Sequence, residues 1–74
     1  MNIQEAINHM FMGEYVVNNK IDTVDYYRIR EGTLYGMIFE NYEGETEIEL
    51  SLKEIISCDY EVRCYREICE KRNI

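Results

Sequence analysis

Proline is absent from these 74 residues and glycine occurs only four times. Linkers and low-complexity stretches are rich in such residues, so the chain reads as one uninterrupted domain. No apolar run approaches the roughly 20 residues of a membrane-spanning helix. The opening Met1-Asn2-Ile3-Gln4-Glu5 lacks the basic and apolar regions of a secretory signal, which predicts a soluble, cytoplasmic protein. Gly-rich phosphate loops and Gly-Lys-Ser/Thr are missing, as is a strand–Gly–helix nucleotide fingerprint. The single histidine, His9, has no nucleophile at a motif-defined spacing. The expectation is a protein that is not an enzyme and carries no cofactor.

Positive charge is also scarce. Eight Lys and Arg face fifteen Asp and Glu, for a net charge of −7. Residues 1–60 hold twelve acids against four bases, whereas residues 61–74 hold three acids against four bases. Direct nucleic-acid binding requires a basic patch that releases counterions, and this body repels phosphates instead. Three cysteines, Cys58, Cys64 and Cys69, are an odd number, which fits reduced thiols rather than a disulfide framework. With His9 they count four conceivable zinc ligands. Structural zinc favours tighter pairs such as Cys-x2-Cys, so no metal site is expected and Cys64 reads as a small buried residue of a strand. A chain this short sits near the lower limit of independent stability, and a homodimer is a reasonable expectation.

What is abundant is glutamate between positions 40 and 49: Glu40, Glu43, Glu45, Glu47 and Glu49. The last three alternate with Thr46, Ile48 and Leu50, the period of a strand with one charged face and one core face. Same-face residues on a strand lie roughly 6.5–7 Å apart, close to phosphate spacing on a nucleic-acid strand. The row therefore suits mimicry of a phosphate backbone, and equally a solvated edge that uses charge to prevent strand pairing. Seven tyrosines give either half-buried strand residues or contact anchors, with Tyr27 and Tyr42 placed on the partner-binding side. Arg28 and Arg30 alternate on one strand. Their roles are neutralising Glu47 or Glu49 across the sheet, or gripping an anionic ligand beside Tyr26.

Apolar residues Ile3, Ala6, Ile7, Met10 and Phe11 predict a helix capped by Asn2 and ended at Gly13. Tyr15-Val16-Val17 is a short β-prone piece. Strands are predicted over 24–30, 33–41 and 45–50, joined by tight turns at Glu31-Gly32 and Glu43-Gly44. Ser51-Leu52-Lys53-Glu54 is a capping box that opens a short helix to Ser57. A last strand is predicted over 59–65, and residues 66–74 read as a short helix or a frayed end. The fold class is α+β: an N-terminal helix with a small twisted antiparallel sheet of about four strands.

Two stretches, Met1-Asn2-Ile3-Gln4-Glu5-Ala6-Ile7 up to Met12-Gly13 and Leu50 through Val62, cover about a third of the chain. They resemble the small phage-encoded proteins typified by the Thoeris anti-defence sponge family, with Asp59-Tyr60-Glu61 where the family has Asp-Trp-Glu. The resemblance implies a phage accessory protein that acts in the host cytoplasm and defeats bacterial immunity by stoichiometric binding. The sponge version holds a signalling nucleotide between subunits. The family commonly follows its first helix with several Lys or Arg, whereas Gly13 here leads into Glu14-Tyr15-Val16-Val17-Asn18-Asn19, and only Lys20 is nearby. Acidity and tyrosines then favour an anti-CRISPR-like inhibitor that blocks a basic nucleic-acid-binding surface, such as that of a CRISPR effector. A nucleotide sponge and a structural or assembly accessory are the alternatives.

Overall fold

Asn2 begins the first helix by accepting the Glu5 N–H on its side chain at 2.9 Å, and α1 runs over Ile3–Phe11. Gly13, at φ +86°, supplies the left-handed residue that lets the chain turn away from it. Ala6 and Met10 are fully buried, with Ile3 and Ile7 packed beside them. Phe11, expected on the same stripe, is exposed because the helix ends at that residue and overhangs its support.

The computed structural model describes residues 1–21, 23–39, 44–57 and 59–72. Five strands, β1 (Tyr15–Asn18), β2 (Tyr26–Arg30), β3 (Thr33–Met37), β4 (Glu45–Glu47) and β5 (Tyr60–Arg63), form one antiparallel sheet in the order β4-β3-β2-β1-β5. The strand beyond the expected four is the Tyr15–Asn18 piece, which pairs along its length with β5. Glu31 and Gly32, with φ of 52° and 78°, make the β2–β3 turn, as a two-residue hairpin with matching twist requires. Gly44 enters β4 at φ +81°, while Glu43 of that expected turn lies outside the described residues.

The strands are shorter than their alternation suggests, for local reasons. Asp25 donates its N–H to the Met37 carbonyl at 2.7 Å and takes the Phe39 N–H on its carboxylate at 2.7 Å, so the β2–β3 ladder ends there in a side-chain bond. Cys64 is already the N-cap residue of helix α3 (Tyr65–Lys71), which shortens the strand expected to reach Tyr65. Cys64 is therefore exposed, not buried, and its thiol donates to Glu67 at 3.1 Å.

The two sheet faces carry different layers. Val16, Tyr27 and Tyr60 meet Ala6 and Met10 beneath α1, with the Tyr27 and Tyr60 rings 6.1 Å apart and edge to face. Tyr26 points the other way, into rings of Tyr15, Phe39 and Tyr65 at 4.8–6.2 Å. Ile68 of α3 is buried as well. Both members of the Tyr26-Tyr27 pair are thus enclosed, one on each side of the sheet. No helix among the described residues is long and apolar enough to cross a membrane.

Candidate functional site

The register of β3 and β4 divides the carboxylate row. Met37 faces Glu45 and Tyr35 faces Glu47, which places both glutamates on the sheet side that carries Tyr26, Arg28 and Arg30. Glu45 accepts from the Tyr26 hydroxyl at 2.9 Å and lies 3.5 Å from Arg28 Nε and 3.4 Å from Arg30 Nε. Its side chain is only 14% exposed. Two guanidinium groups and a phenol therefore consume this carboxylate inside the fold. It presents almost nothing outward.

Glu47 and Glu49 differ. Both are exposed and neither forms an ion pair among the described residues. They flank the chain as it leaves β4, which stands at the edge of the sheet. Charge at such an edge discourages pairing with another strand and leaves an outward negative field. Glu40, Tyr42 and Glu43 lie outside the described residues.

The arginines expected to neutralise Glu47 or Glu49 serve Glu45 instead. Arg28 also donates to the Tyr15 hydroxyl at 2.8 Å and lies 5.1 Å from its ring centroid, and Arg30 covers the Tyr35 ring at 4.4 Å. As an anion grip beside Tyr26 the pair is already occupied. Tyr27 is corrected outright as a contact residue: its ring is the centre of the core, and only its hydroxyl reaches a polar partner. Burial and these carboxylate bonds raise the phenol pKa of both Tyr26 and Tyr27 well above the ordinary range, burial being the larger cause.

Immediately after Glu49 comes the surface that sequence reasoning missed. Helix α2 (Leu52–Ile56) starts with the expected capping box, Ser51 and Glu54 bonding reciprocally. Glu54 also accepts from the Tyr27 hydroxyl at 2.5 Å, while its backbone carbonyl accepts from Tyr60 at 2.8 Å. The helix is thus tethered to the core through one polar residue. Its apolar side chains are left outside: Leu52 is 71% exposed and Ile56 68%, with Ile55 also exposed. A helix this short shows no resolvable apolar stripe in sequence, so nothing there distinguished a buried face from an outward one.

Elsewhere, the His9 imidazole bonds Glu14 at 2.5 Å. Cys58 lies outside the described residues, and no group of three His, Cys, Asp or Glu among the described residues is arranged to hold a metal ion. The region that stands out is the run from Glu47 through Ile56: two exposed carboxylates with no ion pair among the described residues, followed by three exposed aliphatic side chains. No protein-family model, no curated protein and no solved structure matches this chain.

Proposed function

We propose that this protein is a non-catalytic binding module whose β4–α2 segment docks on a basic partner protein, in the manner of a phage-type anti-CRISPR inhibitor. The supporting observation is the consecutive exposure of Glu47, Glu49, Leu52, Ile55 and Ile56. Apolar side chains in contact with a partner supply affinity, and carboxylates at their rim supply orientation and rapid association. A basic nucleic-acid-binding protein that also exposes an apolar spot matches both halves. The phage and anti-defence setting rests on the sequence resemblance alone. The nucleotide-sponge alternative has less support, because Arg28 and Arg30 are held by Glu45.

The test is competition with target DNA for purified CRISPR effectors, by mobility shift at low and high salt. Wild-type protein displaces DNA, and does so less well as salt rises. Glu47→Lys with Glu49→Lys slows association by about tenfold, the scale of electrostatic steering. Leu52→Ser with Ile56→Ser accelerates dissociation. Effectors indifferent to the wild type, or inhibition unchanged in both double variants, would sink the reading. Sedimentation of the same variants shows whether the aliphatic patch instead joins two copies of this chain.

A further inference from the structure

The sheet has two outer edges, β4 and β5, with different charge patterns. On β4 the charged residues are Glu45 and Glu47, so pairing with a second β4 sets acid against acid. β5 carries both signs. Glu61 and Arg63 lie two residues apart on one face of the strand, with side chains 48% and 36% exposed. Within one copy they pair with each other at 2.9 Å.

The direction of each backbone group on β5 follows from the ladder. Val17 faces Glu61 and Val16 faces Val62 in the β1–β5 register. Asn19 donates its N–H to the Asp59 carbonyl at 3.0 Å, which turns the backbone groups of Asp59, Glu61 and Arg63 towards β1. Those of Tyr60 and Val62 therefore turn outward. The Met1 ammonium approaches from that side, donating to the Tyr60 carbonyl at 3.0 Å. The outward N–H and C=O of Val62 form no backbone bond among the described residues. Helix α3 does not shield them, because it folds back over the sheet face, where Tyr65 meets Tyr15 and Tyr26.

We propose that two copies of this chain pair through β5, antiparallel about a two-fold axis at Val62, and so join their sheets into one. Charge selects this register. With the axis at Val62, Glu61 faces Arg63 of the partner subunit, and the symmetry repeats the pair. The two Val62 residues exchange both backbone bonds, and the charged residues take the non-hydrogen-bonded positions, where opposite side chains come closest. An axis at Tyr60 sets Asp59 against Glu61, and an axis at Glu61 or Arg63 sets like charge on like. Only the Val62 axis brings acid to base. The strand is short and the net charge of −7 opposes encounter at long range, so the dimer is a reversible one. It shares no residue with the β4–α2 segment and leaves that surface open on both copies.

The experiment is sedimentation equilibrium of the whole chain from micromolar to millimolar concentration. The wild type sediments as a reversible dimer, and its Val62 N–H gains protection from exchange as concentration rises. Glu61→Arg and Arg63→Glu each weaken association by about tenfold or more, because each sets two like-charged pairs across the axis. An equimolar mixture of the two variants recovers association, since each supplies the charges that the other lacks. That recovery also shows that both variants fold. Leu52→Ser with Ile56→Ser, on the aliphatic side chains of α2, leaves the dimer intact. A monomeric wild type, a Val62 N–H indifferent to concentration, single variants that dimerise like the wild type, or dissociation by the α2 changes would overturn the proposal.

Discussion

The Tyr27 hydroxyl donates to Glu54 at 2.5 Å, joining a wholly buried ring of β2 to a short helix whose apolar residues face outward. This bond, with the one from the Tyr60 hydroxyl to the Glu54 carbonyl at 2.8 Å, therefore substitutes for the packing that normally holds a helix to a sheet. Tyr27→Phe preserves the ring and removes this bond. A hydrogen bond to a charged group is worth about 1.5–3 kcal/mol, and Glu54 keeps its capping partner Ser51, so a loss near the lower end is expected. Urea denaturation measures it. Loss of protection from amide exchange confined to α2 would show that the bond is the tether, whereas unchanged protection would place the anchoring elsewhere.

Gly36 faces the core beneath Ile48. A Cβ placed there would come 2.8 Å from Ile48 Cδ1 and 3.3 Å from Val24 Cγ1. Gly36→Ala should destabilise by about 1–3 kcal/mol through overpacking. The closest atom is the tip of a flexible side chain, so Ile48→Val, which removes that methyl, should return most of the loss. Chemical denaturation of the two single variants and the double variant closes the cycle. Additive effects would show that the crowding lies with Val24 instead.

Local features and alternation are legible in the sequence, whereas contacts set by the register of the sheet are not. Features decided within a few residues were readable: the Asn2 cap, the Gly13 stop, the Glu31-Gly32 turn and the Ser51–Glu54 box all act locally. Alternation also placed Ile48 towards the core. It could not separate Glu45 from Glu47, because they share a face and only the register against Tyr26, Arg28 and Arg30 distinguishes them. Tyr26 was equally opaque. Its burial depends on α3, whose sequence fits a short helix as well as a frayed end. The outward face of α2 follows from tethering by Glu54, a tertiary bond between residues 27 apart in the chain.

Glu45 and Glu47 should consequently behave as different kinds of residue. Glu45→Gln removes the charge shared by Arg28 and Arg30 while keeping an acceptor for Tyr26, and should destabilise by about 1–2 kcal/mol given its partial burial. Glu47→Gln is expected to stay within about 0.5 kcal/mol, the usual range of exposed substitutions. Urea midpoints decide between them. Equal effects would mean that the Arg28–Glu45–Arg30 group contributes no more than a solvated charge.

Alkaline pH should expose the two enclosed phenols. Below the ordinary tyrosine pKa of about 10, folded and unfolded chains both hold these protons, and stability is insensitive to them. Above it the unfolded chain releases them, while burial, together with Glu45 at Tyr26 and Glu54 at Tyr27, keeps them on the folded protein. The unfolded state then binds fewer protons, so stability falls as pH rises through and beyond this range. Urea midpoints from about pH 9 to about pH 11 should decline, bracketing that ordinary value. Tyr26→Phe with Tyr27→Phe should flatten the decline relative to the wild type, since lysines and thiols titrate in both proteins alike. A slope identical in the two proteins would show that these hydroxyls ionise as readily inside the fold as in water.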